Sequence, residues 1–217
     1  MIMRTAAASV ALLFCAARSL GAQVTANVAV DRIFAEWDKP DSPGCAVGAI
    51  QNNRYLYKRG YGMANLDYDI PNAAEMVYSI GSDSKQFTAA SVALLSMQGK
   101  LSLDDDRGKY VPELPGQPLR EFADAQIFTP LGMTHTHFHD APGHIRKQRA
   151  MRYEKEGQGG FRISYLQNFD KVGAGGLYST INDLRKWDEN FSTHQVGGDA
   201  LQAIMHTRGV LNSADDV

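Results

Sequence analysis

The chain has 217 residues, of which 44% are hydrophobic and 21% are charged, an ordinary composition for a globular protein that excludes a disordered or collagen-like chain. Its 24 acidic and 22 basic side chains give a formal net charge of −2, so charge gives no reason to expect nucleic acid or an anionic membrane as the partner. Two cysteines and no Cys-x-x-Cys exclude a disulfide scaffold and argue against a structural zinc site.

Residues 1–22 have the pattern of a secretory signal peptide, with Arg4 ahead of an uncharged apolar run that is too short to span a bilayer. Ala22 supplies a small residue for cleavage. A buried N-terminal helix is the alternative interpretation. Cleavage removes Arg4 and Arg18, which leaves 20 basic against 24 acidic groups, a net charge of −4, on residues 23–217. We therefore expect a secreted or periplasmic bacterial protein with no membrane span after cleavage.

The first half of the remaining chain alternates helical and strand-like segments. Apolar residues at helical spacing predict a helix over 28–37 and a stronger one over 83–98. Between them, 45–50 and 54–58 are short strand-like runs joined by a polar turn, the pattern of a β-hairpin, and 76–80 is a third strand-like run.

In the second half, a short helical pattern covers 119–128. Residues 134–144 have the pattern of an extended edge followed by a turn. Thr180 and Asp183 form a capping box that predicts a helix over 181–191. The residues after that helix predict no final strand.

The sequence contains one Ser-x-x-Lys, formed by Ser82 and Lys85 at the start of the strongest predicted helix. A serine hydroxyl needs a neighbouring base in order to attack, and an uncharged lysine one helical turn away can accept its proton. The helix N-terminus would stabilise negative charge on an attacked carbonyl. On these four residues alone, the alternative is that Ser82 caps the helix and Lys85 is solvated.

Longer stretches carry a family resemblance. VYSIGSDSKQFTAASVALLSMQGKLSLDD resembles the active-site segment of the serine β-lactamase-related hydrolases of the class C type, a family that includes D-alanyl-D-alanine carboxypeptidases and esterases. AVGAIQNNRYLYKRGYGMANLD, KYVPELP, IFTPLGMTHTHF and VGAGGLYSTINDLRKWDENF resemble the same family in the same order. The resemblance implies that Ser82 is the acyl-accepting nucleophile and Lys85 its proton-transfer partner.

The resemblance also implies an α+β fold, an antiparallel sheet flanked by helices, for residues 23–217. It implies that Ser82 attacks a lactam, peptide or ester carbonyl of a small-molecule or peptide substrate and forms an acyl-enzyme that water hydrolyses. That route needs no metal and no organic cofactor.

Two motifs of the family are missing. No tyrosine has asparagine two residues later, and Tyr110 belongs to KYVPELP, so it is not a substitute. The sequence passes from VPELP to GQPLREF with almost nothing between, where relatives carry a helical segment, so we expect an internal deletion that removes most of a helical subdomain. The His-x-Gly or Lys-Thr-Gly strand would follow the LRKWDENF helix, and the chain ends at Val217 before reaching it. The closing strands are therefore expected to be absent.

These losses leave two functional hypotheses. One is a serine hydrolase with reduced activity, since one missing oxyanion donor typically costs about 2.7 to 4 kcal/mol of transition-state stabilisation. The other is a disabled remnant that binds β-lactam or peptidoglycan-like ligands without turnover, or a fragment that does not fold on its own.

Two further patterns resemble ligand-binding sites, one for a metal and one for a phosphate, but each is better explained by a structural role. His135, His137 and His139 alternate ahead of Asp140, yet side chains along a single strand rarely converge on one tetrahedral metal, so a solvated edge is preferred to a zinc site. Gly173–Gly176 lacks the Lys-Ser/Thr that follows a phosphate-binding loop, which favours a turn that serves helix packing.

Overall fold

A computed structural model of the protein describes residues 27–104, 113–114, 116–141, 143–157, 159–164 and 172–208. The chain divides into two compact units, Met1–Ala73 and Ala74–Val217. The predicted signal peptide, residues 1–22, and Tyr110 lie outside the described residues, so the signal peptide stays a prediction.

The first unit contains a helix and two strand pairs: α1 (27–34), β1 (Cys45–Gln51), β2 (Arg54–Tyr61), β3 (Met63–Asn65) and β4 (Ile70–Pro71). β1 and β2 form the predicted antiparallel hairpin, with a register shift after Ala49. Its turn places Asn52 at φ 49° and Asn53 at φ 58°. Asparagine tolerates this left-handed conformation well, and two such residues suit the tight turns that match the twist of paired strands.

One carboxylate ties α1 to the hairpin. Asp31 accepts hydrogen bonds from the hydroxyls of Tyr57 and Tyr61, the latter at 2.8 Å, and from the Arg59 guanidinium at 2.7 Å. The pKa of the Asp31 carboxyl is lowered, chiefly by the bonds from Tyr57 and Tyr61. Gly44 permits the close approach of β1 to β2 at their open end, because a Cβ there would lie 1.8 Å from the Tyr61 carbonyl oxygen.

The second unit combines helices with short antiparallel strands. In chain order these are β5 (Tyr78–Ser79), α2 (Ser84–Met97), β6 (Glu113–Leu114), β7 (Gln117–Pro118), α3 (Leu119–Ala123), β8 (His137–Phe138), β9 (Tyr153–Lys155), β10 (Phe161–Ile163), β11 (Leu177–Ser179), α4 (Ile181–Thr193) and α5 (Gly198–His206). β11 lies between β5 and β8 in a three-stranded sheet, while β6–β7 and β9–β10 are separate pairs. The mixture of helices and antiparallel strands is the predicted α+β class.

The core of this unit is the buried side of α2 and the apolar faces around it. Phe87 is fully buried and contacts the rings of Phe128 and Trp187, with ring centroids 5.6 and 4.7 Å apart. Phe138 of β8 and Leu177 of β11 pair across the sheet and are also fully buried, so one face of the sheet belongs to the core. Burial of this apolar face holds the sheet against α2. β5, the strand that precedes α2, is positioned through its pairing with β11.

The start of α4 is joined to the chain around β8 by a buried carboxylate. Asp183 is 1% exposed and accepts hydrogen bonds from the His135 backbone N–H (2.7 Å), the Thr136 hydroxyl (3.0 Å) and Lys186 Nζ (2.9 Å). Its own backbone N–H donates to the Thr180 hydroxyl at 3.1 Å. The predicted capping box is thus half formed, because the carboxylate binds the neighbouring loop instead of returning to the cap.

The two long predicted helices are confirmed as α2 and α4, and the hairpin is confirmed with a longer second strand. The helix predicted over 119–128 is α3 followed by a π-helical turn at Asp124–Phe128. The sequence interpretation missed α5, β11 and the short pairs β3–β4, β6–β7 and β9–β10.

Candidate active site

Ser82 lies at the junction between β5 and α2. Gly81 adopts φ +56°, and a 3₁₀ turn over Gly81–Asp83 then leads into the helix. Glycine suits this position because residues with a Cβ avoid a positive φ. The turn leaves the Ser82 side chain exposed at the N-terminal end of α2, where the helix dipole favours negative charge.

Lys85 lies one turn on and reaches back to the serine. Its Nζ donates to Ser82 Oγ at 2.8 Å and to the carbonyl oxygen of Ala174 at 3.0 Å. The helix-cap alternative for Ser82 is wrong, because Asp83 occupies the N-cap of α2 and no side chain accepts a hydrogen bond there. Lys85 is exposed, yet two oxygens fix the direction of its amine.

The partner at Ala174 belongs to the glycine-rich turn Gly173–Gly176, which was predicted to serve packing. Three side chains of α2 hold this turn and the strand after it. Besides Lys85, the Thr88 hydroxyl donates to the Gly173 carbonyl at 2.8 Å, and the Leu177 N–H donates to Ser84 Oγ at 3.1 Å. The packing role is confirmed. The contact with Lys85 was missed, since no sequence signal identifies which carbonyl faces the amine.

Ser84 is the neighbouring serine and has a different environment. It is fully buried, and its hydroxyl donates to the Gly81 carbonyl at 2.5 Å. With the bond it accepts from Leu177, this hydroxyl joins the 3₁₀ turn to β11. Ser84 therefore positions the backbone around Ser82, and the exposed hydroxyl is the one that a substrate can reach.

The three alternating histidines are divided between one exposed and two buried imidazoles. Among the residues described, no group of three or more His, Cys, Asp or Glu side chains could hold a metal ion. His137 and His139 are buried, at 8% and 3% exposure, and both rings contact Tyr178, with centroids 5.7 and 5.3 Å away. The expectation of solvated imidazoles holds for His135, which is exposed, and is wrong for His137 and His139, because this side of β8 lies against the tyrosine of β11.

We expect His137 to make the fold sensitive to acid. Burial, with the charges of Arg146, His139 and Arg149, lowers the pKa of His137 from 6.5 to about 4. The unfolded chain therefore binds a proton below about pH 6.5 that the folded chain does not bind until about pH 4. The stability contribution is complete above pH 6.5 and is lost as the pH falls towards 4.

Urea unfolding at pH 7 and pH 4.5 measures this effect. Wild type should lose about 2 kcal/mol more unfolding free energy between the two pH values than His137→Phe, which keeps an aromatic ring but cannot bind a proton. The exposed His144 provides the control, because His144→Gln should follow wild type. Equal losses in wild type and His137→Phe would contradict the expectation.

Comparison with known proteins assigns the chain to a family. The sequence model of the beta-lactamase family matches residues 30–117 and 114–211. The chain belongs to the beta-lactamase family. The match is divided at the segment where we predicted an internal deletion.

Individual proteins are similar over shorter segments. Protein flp of Staphylococcus aureus (strain N315) is 30% identical over 84 residues, which are 38% of this chain and 17% of that protein. A beta-lactamase of Pseudomonas fluorescens is 40% identical over 76 residues, 35% of this chain and 21% of that protein. The aligned part of this chain thus spans less than a quarter of either relative.

The fold is similar to that of a penicillin-binding protein homologue from Pyrococcus abyssi, whose structure is octameric. The TM-score is 0.71 at 19% identity, and the alignment covers 88% of this chain and 60% of that structure. This similarity supports the α+β, penicillin-binding-protein-like fold, and its partial coverage agrees with an incomplete one.

None of the helices within the described ranges has the length and apolar character that a membrane span requires.

Proposed function

We propose that this beta-lactamase family protein is a hydrolase in which Ser82 is the nucleophile and Lys85 its proton-transfer partner. The observation that carries the proposal is the 2.8 Å distance between Lys85 Nζ and Ser82 Oγ. That distance allows direct proton transfer between the two atoms when the amine is uncharged. The second contact, to Ala174, keeps the amine beside the hydroxyl.

In the first step, Ser82 Oγ bonds to the carbonyl carbon of a lactam, peptide or ester while its proton passes to Lys85. The oxygen of the tetrahedral intermediate carries the negative charge, which the N-terminal end of α2 stabilises. The bond to the leaving nitrogen or oxygen then breaks, and the leaving group takes up a proton from Lys85. Water hydrolyses the acyl-enzyme and regenerates the Ser82 hydroxyl.

Mapping of the covalent adduct tests the assignment of the nucleophile. After incubation with a fluorescent penicillin or with a 4-nitrophenyl ester, mass spectrometry of the digested protein should locate the acyl group on Ser82. Ser82→Ala should carry no adduct and release no nitrophenol above the rate in buffer. Ser96→Ala, near the other end of α2, serves as the matched control and should still be acylated at Ser82. Labelling that persists unchanged in Ser82→Ala would overturn the proposal.

We further propose that residues 1–22 direct the protein out of the cytoplasm, to the periplasm or the medium. Ala22 supplies the small residue next to the expected cleavage site. When the full chain is expressed in a bacterial host, N-terminal sequencing of the exported protein should begin at Gln23. Ala22→Trp should accumulate uncleaved. Recovery of wild type in the cytoplasm with Met1 retained would contradict this proposal.

A further inference from the structure

The three-stranded sheet has a second face, opposite the core, with polar and charged side chains that take no part in the proposed reaction. Side chains on a strand alternate between faces, so the pairing of Phe138 with Leu177 in the core puts His137 and Tyr178 on the opposite face. Tyr178 also pairs with Ser79 on the other side. We call this face, formed by Ser79, His137, Tyr178 and Arg149, the outer sheet face.

Arg149 lies on a segment that runs beside Val77, next to β5 at the edge of the sheet. It pairs with Val77, where the Val77 N–H donates to the Gln148 carbonyl at 2.8 Å and the Ala150 N–H donates to the Val77 carbonyl at 3.0 Å. The Arg149 guanidinium carbon lies 5.9 Å from the centre of the Tyr178 ring. The half-buried guanidinium is thus held over an aromatic ring that leaves its N–H groups available for an anion.

The outer sheet face has an excess of positive charge. Arg146 and Arg149 both act on the buried imidazoles of this face, and in the part of the chain that the structure describes neither arginine forms a salt bridge. Asp140 is the carboxylate whose charge acts on both imidazoles, and the Arg120 guanidinium already binds it at 2.8 Å. A guanidinium that is held in place and has no carboxylate partner can bind the carboxylate of a ligand.

A buried polar atom points to the same conclusion. His137 is 8% exposed, and its Nε2 has no hydrogen-bond partner among the described residues. Its ring lies nearly parallel to that of Tyr178, at 15°. Buried polar atoms are normally paired in folded proteins, so an unpaired one beside a guanidinium without a salt bridge indicates a polar group that the described residues do not supply.

The outer sheet face is also close to the serine. Ser79 lies opposite Tyr178 and precedes Ser82 by three residues, so the two serines are separated by at most roughly 10 Å of extended chain. A Cβ at Gly81, between them, would meet no atom within 4 Å. A group placed beside this glycine therefore meets open space.

We propose that the outer sheet face binds a carboxylate of the substrate through Arg149, with the Tyr178 ring beneath it and His137 at its side. The inference rests on the proposed function. It specifies the substrate class as an elongated carbonyl compound that also carries a carboxylate remote from the bond that Ser82 attacks. Arg149 would then determine specificity without taking part in proton transfer.

Binding of a single unreactive probe tests the site separately from catalysis. The probe is the monomethyl ester of sebacic acid, a ten-carbon chain with one carboxylate, titrated by NMR against the Ser82→Ala protein. Ser82→Ala with Arg149→Gln should bind the probe about 10-fold more weakly, as expected for loss of a charge-assisted hydrogen bond. Ser82→Ala with Arg162→Gln removes the same charge from β10 and should bind as tightly as Ser82→Ala alone.

A second measurement needs no change at Arg149. The Ser82→Ala protein should bind the carboxylate probe at least 10-fold more tightly than its uncharged primary amide. Equal binding of acid and amide, or equal binding by the Arg149→Gln and Arg162→Gln proteins, would overturn the carboxylate site. Because these titrations involve no turnover, they decide the carboxylate site even if the adduct mapping at Ser82 fails.

Discussion

Replacing Lys85 by alanine should lower the rate constant for acylation of Ser82 by about 1,000-fold, within the range of general acid–base catalysis. The physical reason is that a serine hydroxyl at neutral pH needs a proton acceptor within hydrogen-bond distance, and Lys85 Nζ lies 2.8 Å away. The measurement is pre-steady-state release of nitrophenol from a 4-nitrophenyl ester, which isolates acylation from the hydrolysis that follows it.

Two further variants show whether the amine accepts the proton or only holds the structure. Lys85→Arg introduces a guanidinium, which stays charged at accessible pH and supplies no base, so it should be about as slow as Lys85→Ala. Lys100→Ala, which removes an exposed lysine beyond the other end of α2, should acylate at the wild-type rate. Acylation by Lys85→Arg at more than a tenth of the wild-type rate would show that charge, and not proton transfer, is what Lys85 supplies.

Replacing Asp183 by alanine should lower the free energy of unfolding by about 3 to 5 kcal/mol. The carboxylate is buried and accepts from the His135 backbone N–H, the Thr136 hydroxyl and Lys186, so its removal takes one acceptor from each of these three donors. Thr136 then keeps only the Ser179 hydroxyl, and Lys186 only the Gly132 carbonyl. Urea unfolding followed by circular dichroism measures the loss.

The matched control lies on the same helix. Asp188 is exposed, and Asp188→Ala should change the unfolding free energy by no more than about 0.5 kcal/mol. Asp183→Asn keeps the shape of the side chain but replaces one acceptor oxygen with a donor, so it should fall between wild type and Asp183→Ala. A loss below about 1 kcal/mol in Asp183→Ala would mean that the loop around β8 does not depend on this carboxylate.

The sequence predicted those elements whose signals are local. The apolar spacing of α2, the threonine that caps α4 and the Asn52-Asn53 turn are each contained within a few residues, and each is present in the structure. The short pair β9–β10 was missed because strands this short are defined by their partner across the turn, which no periodicity within three residues can reveal.

The candidate site was predicted in part for the same reason. Ser82 and Lys85 are three residues apart, so helical geometry alone brings them together. Ala174 meets Lys85 across 89 positions of the chain, a contact that depends on how β11 pairs with β5. The burial of His137 was misjudged because an alternating pattern identifies two faces of a strand without indicating what covers each of them.

The three side chains by which α2 holds the glycine-rich turn have a dynamic consequence. Thr88, Lys85 and Ser84 bind the turn and the start of β11 in succession, so the segment cannot swing away without breaking all three bonds. Local opening there would also break the hydrogen bond from Lys85 Nζ to the Ala174 carbonyl. Fluctuations of this backbone segment would therefore change the orientation of the Lys85 amine relative to Ser82. Amides along both segments should then exchange with deuterium as one cooperative block, at a rate set by the free energy of breaking all three bonds together.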